Sequence, residues 1–310
     1  MTWTVLFSLC STAMLLGNKA VLTLFPFPLA LTCVQLFSAA LLVLPFVLHS
    51  GRKKLSWREL GYYAFEGALF SISIFAGLKS LGLTNIGTVI IARSCLPLVV
   101  YAGEYLQGKA SGLSLRSCAS LICVTCFGTL YALDAKGIRV TASGLIWVTF
   151  WILLVAVQMI YGKWLVGAVQ ITNTERVLYS NSLGLPLLAP LASGELASFC
   201  EAVKIGGPNL VIISCFIGVL IGYTSWRLRE LISATTFSLV GVINKMLTVC
   251  IAVAFYRDEG SWISFVSLIG CLISGLFYEG AGVKPSNSKK NIGLGLADIR
   301  EGSRAQISEI

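Results

Sequence analysis

Long apolar runs separated by short polar segments dominate the hydropathy pattern of the chain. A helix that crosses the hydrocarbon core of a bilayer needs about 20 mostly apolar residues. The pattern contains ten such runs, and each is predicted to form a membrane-spanning helix. The seventh run is the weakest, because it is short and is interrupted by Gly184, Pro186 and Pro190. The approximate limits of the runs are Trp3–Leu24, Leu29–His49, Gly61–Leu81, Asn85–Leu106, Leu115–Leu133, Ser143–Leu165, Arg176–Ala192, Asn209–Leu228, Ile232–Tyr256 and Trp262–Gly280.

The composition supports a membrane protein. The chain is 56% hydrophobic and 12% charged, with a mean hydropathy of +0.84. Soluble domains carry about 25% charged residues. A soluble enzyme and a nucleic-acid-binding module are therefore excluded, although the net charge is +9. Residues 1–282 are predicted to form one helical domain, and the polar residues 283–310 are predicted to form a disordered tail.

Positive residues are distributed unequally between the two sets of alternate loops that ten helices would create. One set, together with the tail, carries fifteen Lys and Arg residues, and the other set carries five. Cytoplasmic loops of membrane proteins carry an excess of Lys and Arg. Both termini and the tail are therefore predicted to face the cytosol.

A weak internal similarity suggests that the chain is doubled. Residues 85–93 align without gaps on residues 233–241, at an offset of 148 residues. With five helices in each half, the second half would be inverted in the membrane. Inverted repeats are typical of secondary transporters, whose substrate site lies near the midplane between the halves. The predicted fold is an all-α integral membrane protein with two inverted five-helix repeats, at about 1–135 and 140–282.

A lysine lies in the middle of the ninth predicted helix, where a charge costs about 2.5–3.5 kcal/mol on insertion scales. Asn244 precedes this Lys245, and Gly241 lies on the same helical face. A small polar face around one cation suits a phosphate group, which lysine binds as a point charge. The alternative is a structural ion pair of Lys245 with Glu66 or Glu104.

Other polar groups lie within the first and fourth predicted helices. Arg93 shares a helical face with Glu104, so it either contacts substrate or braces the helix through an ion pair. Asn18 and Lys19 lie near the end of the first helix, where Lys19 either contacts substrate or extends to the membrane surface. Lone polar residues elsewhere favour hydrogen bonds between helices. These residues are Gln35, Glu66 and Gln158.

An aromatic ring and small polar side chains cluster in the seventh predicted helix, at Tyr179, Ser180 and Asn181. An amide offers both donors and an acceptor. Asn181 is therefore suited to recognise the edge of a nucleobase, on whose face the Tyr179 ring can stack. The alternative is a packing interface of small polar residues.

Histidine and cysteine usage excludes most metal and catalytic sites. His49 is the only histidine, so neither a His-based zinc site nor a Ser-His-Asp triad can be built. The single C-x-x-C, from Cys123 to Cys126, lies in an apolar run and is predicted to consist of buried thiols. We expect no cofactor and no metal. Because the chain also lacks a DxD or DxxD pair of acids, it is not expected to be an enzyme.

Several of these motifs resemble those of the nucleotide-sugar transporters of the drug/metabolite transporter superfamily, in particular the plant and algal GDP-sugar branch. Residues 241–245 resemble the family's "GALNK" motif, with Val242 in place of its alanine. Residues 178–181 stand where the family has "FYNN", with Ser180 in place of the first asparagine. Residues 93–98 resemble its "RSxxPL" motif, and residues 17–20 resemble part of its first helix pair.

The resemblance implies a Golgi antiporter that imports GDP-mannose, GDP-fucose or GDP-galactose and returns GMP to the cytosol. In that family "GALNK" lies at the sugar and phosphate end of the site and "FYNN" recognises guanine. The implied partners are a nucleotide sugar, a nucleoside monophosphate and the lipid bilayer, without nucleic acid; a homodimer is considered as well. A UDP-sugar transporter, or a sugar-phosphate or phosphoenolpyruvate exchanger, is the alternative. The expected substrate-binding residues are Asn18, Lys19, Arg93, Tyr179, Ser180, Asn181, Gly241, Val242, Asn244 and Lys245.

Overall fold

Ten helices make up the part of the chain that the structure describes. The computed structural model describes residues 2–51, 55–84, 86–108, 112–136, 141–256 and 261–279, without the side chains of 19, 81–82, 86–87, 135–136 and 248–256. The predicted tail lies outside these residues. In chain order the helices are α1 (Thr2–Leu24), α2 (Pro28–His49), α3 (Trp57–Leu83), α4 (Ile86–Leu106), α5 (Leu115–Lys136), α6 (Ala142–Ala168), α7 (Asn173–Gly206), α8 (Asn209–Leu231), α9 (Ala234–Tyr256) and α10 (Trp262–Leu276).

The ten predicted runs correspond one to one with the ten described helices. By length and apolar composition, seven of the described helices can cross a membrane: α1, α2 and α4–α8. Shorter apolar segments lie in α9, at Ala234–Leu247, and in α10, at Trp262–Leu276. The helices expose large apolar side chains such as those of Phe46 and Ile146. The all-α part of the predicted fold class is therefore confirmed for the described residues, and their apolar helices are consistent with a membrane transporter.

One cysteine prediction is wrong. Cys123 and Cys126 are exposed side chains on α5, and neither forms a disulfide. The reason is that α5 packs on α4 and α10 and leaves the rest of its surface uncovered. An apolar run alone does not distinguish a face that packs on other helices from one that faces lipid.

The seventh helix departs most from its prediction. Instead of a short and broken segment, α7 is continuous over 34 residues and is the longest described helix. It includes both Pro186 and Pro190 in its interior. Prolines are tolerated in membrane helices where neighbouring groups stabilise the backbone. Here α2 and α3 pack along α7, so tertiary contacts outweigh the local cost of the prolines.

Two glycines allow α3 and α7 to approach closely. A Cβ atom placed on Gly67 would lie 2.7 Å from the backbone nitrogen of Gly184 and 2.8 Å from its Cα atom. One turn along α3, the Ser71 hydroxyl donates a hydrogen bond of 2.9 Å to the Gly184 carbonyl oxygen. Small residues at such crossings let helix backbones approach and strengthen packing in membranes. The crossing brings the part of α3 around Glu66 next to the polar segment of α7.

The pairs of packed helices form a repeating pattern. The most extensive packing is between α2 and α7, α5 and α10, α3 and α6, and α1 and α8. Each helix can be replaced by the one five places later in the chain, with the count returning to α1 after α10. This replacement turns the α1–α8 pair into the α6–α3 pair and the α4–α5 pair into the α9–α10 pair. It leaves the pairs α2–α7, α4–α9 and α5–α10 unchanged.

The glycine crossing gives a test of this packing. We expect Gly67→Ala to lower stability by about 1–3 kcal/mol, because a methyl group at this position meets the α7 backbone rather than a movable side chain. Thermal unfolding of the purified protein measures the effect. Gly61→Ala on the same helix is the matched control, since nothing lies within 4 Å of a Cβ atom there. Equal melting temperatures for the two variants would contradict the close crossing.

Candidate functional site

Two adjoining cavities lie inside the bundle. The larger cavity has a volume of about 450 Å³ and is lined by residues of α1–α4 and α6–α8. The smaller cavity has a volume of about 160 Å³ and is lined by residues of α1, α4, α6 and α9. Phe7, Arg93 and Met159 line both cavities, so the two spaces share a wall. The larger volume lies in the range of pockets that hold small molecules, about 300–1,000 Å³.

Most of the expected binding residues line these cavities. Ser180 and Asn181 of α7 line the larger cavity, and Arg93 of α4 lies at the shared wall. The smaller cavity is lined by Gly241, Val242 and Lys245 of α9. The structure thus brings six of the ten expected residues together, from three segments that resemble family motifs and lie far apart in the sequence.

Three of the remaining expected residues, Asn18, Tyr179 and Asn244, do not line either cavity. Tyr179 is 6% exposed and packs in the core, with its ring centroid 5.8 Å from that of Tyr63. Asn244 is buried within the bundle beside the lining residue Lys245. The Lys19 side chain lies outside the described residues. Trp226 of α8 is one of three aromatic residues that line the larger cavity, with Phe7 and Phe70.

Asn18 contributes indirectly, by holding a residue of the cavity wall. The Gln35 amide nitrogen donates to the Asn18 side-chain oxygen at 2.8 Å and to the Ser214 hydroxyl oxygen at 3.2 Å. Gln35 itself lines the larger cavity. Gln158 similarly donates to Glu66 at 3.4 Å. The prediction that these lone polar residues form hydrogen bonds between helices is confirmed for Gln35, Glu66 and Gln158.

Arg93 and Lys245 are cations of the cavity wall without a carboxylate partner among the described residues. The Arg93 guanidinium lies over the Trp151 ring, with its central carbon 4.7 Å from the ring centroid. In the described part of the chain, neither cation forms an ion pair. Both side chains are partly accessible, and both line the smaller cavity. A wall of this kind is suited to an anion such as a phosphate group.

The two acids considered as partners for these cations have other roles. Glu104 of α4 accepts hydrogen bonds from the backbone nitrogens of Ala234 and Thr235 at 2.9 and 3.0 Å, and from the Thr235 hydroxyl at 2.5 Å. It therefore caps the beginning of α9. Glu66 lies 3.7 Å from Arg229. Among the described residues, Arg93 does not pair with Glu104, and Lys245 pairs with neither acid. Both structural alternatives from the sequence are therefore wrong.

Arg229 is a residue of the site that none of the sequence motifs indicates. It lies in the last turn of α8 and lines the larger cavity. Its guanidinium carbon lies 4.9 Å from the centroids of both the Trp226 and the Phe237 rings. A sequence signal for Arg229 does exist, because small residues precede it at helical spacing on the same face of α8 and line the same cavity. These residues are Gly218, Gly222 and Ser225.

A polar cluster fixes the end of α8 and thereby the position of Arg229. The Lys163 ammonium donates to the backbone oxygen of Arg229 at 2.8 Å. The Glu230 carboxylate pairs with Arg176 of α7 and accepts a hydrogen bond of 3.0 Å from the Asn173 amide. Arg176 is 2% exposed and also donates to the carbonyl oxygens of Val166 in α6 and of Val169, which follows α6. Helices α6, α7 and α8 are therefore held together beside the cavity.

Curated proteins with similar sequences are transporters. GDP-mannose transporter GONST3 of Arabidopsis thaliana is 28% identical over 296 residues, which cover 90% of this chain and 78% of the relative. GDP-fucose transporter 1 of Arabidopsis thaliana is 27% identical over 288 residues, covering 88% and 83%. A GDP-mannose transporter of Aspergillus fumigatus is 24% identical over 236 residues, covering 70% and 62%. These plant relatives are thus more similar than the fungal one, and the names of all three agree with the expectation that the chain is not an enzyme.

The fold itself also occurs in a solved structure. A crystal structure of another protein superposes with a TM-score of 0.64 at 13% identity, over 89% of this chain and 94% of the other. No family model matches the chain. The resemblance to the GDP-sugar branch of the nucleotide-sugar transporters, first carried by the motifs, is confirmed by the curated relatives over nine-tenths of this chain.

Proposed function

We propose that the protein is a Golgi antiporter that imports a GDP-sugar in exchange for GMP. The sugar would be mannose, fucose or galactose. The names of the plant relatives support a GDP-sugar as the substrate. The Golgi location and the exchange with GMP rest on the motif resemblance.

The observation that carries the proposal is the pair of cations at the smaller cavity. Arg93 and Lys245 have no carboxylate partner in the described part of the chain. Charges inside a membrane protein are costly and usually mark a substrate pathway. The diphosphate of a GDP-sugar supplies the missing negative charge. The guanine end then extends into the larger cavity, where Ser180 and Asn181 lie.

The pattern of helix packing supports alternating access by two inverted halves. The packed pairs α1–α8 and α3–α6 are exchanged when every helix is replaced by the one five places later in the chain. Such a pattern is expected when two five-helix repeats, here residues 1–135 and 140–282, pack about a pseudo-two-fold axis. Arg93 of the first half and Lys245 of the second half line one cavity, so the substrate would lie between the halves.

Lys245 provides a test of the binding site. We expect Lys245→Ala to fold normally, because no carboxylate among the described residues loses a partner. We expect the stabilisation by GMP to be lost and transport to fall close to background. Lys245→Arg should also be impaired, since a planar fork replaces a point charge. The melting temperature of each purified variant, with and without GMP, measures these effects.

The matched control for this test is Lys204→Ala, which removes an exposed lysine from the last turn of α7. It should retain the wild-type response to GMP. A Lys245→Ala protein that is stable, shifted by GMP and fully active would contradict substrate binding by Lys245.

Exchange is tested in proteoliposomes. Uptake of labelled GDP-mannose should be several-fold faster into vesicles preloaded with GMP than into empty vesicles, because a carrier with two uncompensated cations should reorient slowly. GDP-fucose, GDP-galactose, a UDP-sugar and phosphoenolpyruvate serve as competitors and distinguish the alternatives. Equal uptake into empty vesicles would exclude obligate antiport. Competition by inorganic phosphate as strong as that by GMP would favour a sugar-phosphate exchanger.

The orientation is tested with inserted tags. A protease added to intact vesicles with their cytosolic face outward should cleave a tag after residue 284 and a tag in the connection between α2 and α3. A tag near residue 137 should be protected until detergent is added. The excess of Lys and Arg in the first set of loops is the reason for this expectation. Protection of the tag after residue 284 would refute the orientation.

A further inference from the structure

We propose that Glu66 recognises the Watson–Crick edge of guanine and sets the base specificity of the carrier. The proposal rests on the proposed function, since it assigns a residue to the nucleotide end of the same site. Glu66 belongs to none of the family motifs, and its sequence context suggests hydrogen bonding between helices or an ion pair with Lys245. Its position in the bundle is what indicates a role in recognition.

The Glu66 carboxylate is buried yet has unused hydrogen-bonding capacity. The residue is 4% exposed and lines the larger cavity. Its Oε1 atom accepts a hydrogen bond of 3.4 Å from Gln158 and lies 3.7 Å from Arg229, so both contacts are long. Within the described residues, its Oε2 atom makes no hydrogen bond. A carboxylate has about four acceptor positions, so at least two remain for a ligand.

The surroundings suit a nucleobase. Asn181 lines the same cavity, and its side chain forms no hydrogen bond with the described part of the chain. Trp226 presents an aromatic surface to this cavity, and most of the other lining residues are apolar. A flat base can therefore be enclosed between apolar side chains, with its polar edge toward Glu66. The close approach of α3 and α7 at Gly67, the residue after Glu66, brings the two polar segments together.

The chemistry of a carboxylate selects guanine among the common bases. The Watson–Crick edge of guanine carries two adjacent donors, N1–H and the N2 amino group, which match the two acceptor oxygens of a carboxylate. Uracil offers one donor between two carbonyl acceptors, and adenine offers an amino donor beside a ring acceptor. With either base, at least one carboxylate oxygen faces another acceptor or loses its partner. A site with buried polar groups strongly rejects an analogue that leaves them unpaired.

The competing interpretation is structural. The Arg229 guanidinium lies 3.7 Å from Glu66, and the pair joins α3 to α8. A pair that only braces these helices would not distinguish one nucleotide from another. Nucleotide selectivity therefore separates the two interpretations, whereas stability alone does not.

The first measurement compares nucleotides on the wild-type protein. Apparent Kd values for GMP, IMP and UMP are obtained by thermal titration of the purified full-length chain. IMP retains N1–H and O6 but lacks the N2 amino group. We expect IMP to bind at least about fivefold more weakly than GMP, because one acceptor of Glu66 loses its donor. UMP should be weaker still.

The second measurement uses Glu66→Gln, which should weaken the preference for GMP and strengthen the binding of xanthosine monophosphate. The amide keeps one acceptor for N1–H but now presents a donor where guanine has its amino group. Xanthosine monophosphate has a carbonyl oxygen at that position. We therefore expect the variant to lose the preference for GMP over IMP and to bind xanthosine monophosphate better than the wild type does. Glu201→Gln, which neutralises an exposed acid of α7, is the matched control and should leave all ratios unchanged.

The outcomes separate this proposal from the proposed function. If the wild type binds GMP and IMP equally, or if folded Glu66→Gln keeps the wild-type ratios, the assignment of Glu66 is wrong while GDP-sugar transport stands. If the wild type responds to no nucleotide, the proposed function itself fails.

A double variant provides for the case in which Glu66→Gln does not fold. Glu66→Gln/Arg229→Gln removes both charges of the pair, and it should show the same gain for xanthosine monophosphate. If neither variant folds, the pair is a structural brace and the proposal is overturned.

Discussion

Cationic side chains enclosed in an apolar helix bundle are the constraint on which the arrangement of this protein depends. Each such charge needs a counter-charge or polar contacts, because hydrocarbon and apolar side chains solvate it poorly. Arg176 obtains these contacts from Glu230, Asn173 and backbone carbonyl oxygens. Arg93 and Lys245 obtain no carboxylate from the described residues, and under the proposed function the diphosphate of the substrate would supply their counter-charge.

Several structural contacts hold the helices that carry these charges. Glu104 caps the beginning of α9 and thereby links α4, which carries Arg93, to the helix that carries Lys245. The Lys163 ammonium fixes the backbone at Arg229. The glycine crossing brings α3 against α7 without an intervening side chain. The polar groups of the two cavities are thus supported by contacts outside the cavities, which restrict their positions before a ligand binds.

The departures from the family motifs become easier to understand in this setting. Ser180 replaces an asparagine of the "FYNN" motif, which removes one amide from the predicted base site. The Ser180 hydroxyl donates a hydrogen bond of 3.3 Å to the Val177 carbonyl oxygen within α7. Glu66 and Arg229 contribute other polar groups to the same cavity. Under the proposed function, α3 and α8 would therefore contribute to base selectivity together with α7.

The sequence by itself determined the helical membrane fold, most helix ends and the presence of cations within α4 and α9 at Arg93 and Lys245, because apolar length and charge are local properties of the chain. It did not determine the continuity of α7, because that depends on the helices packed beside its prolines. It also did not determine which acid pairs with which cation, or that Trp226 rather than Tyr179 lines the cavity. Those outcomes depend on which faces of separate helices meet, and only the tertiary structure decides that.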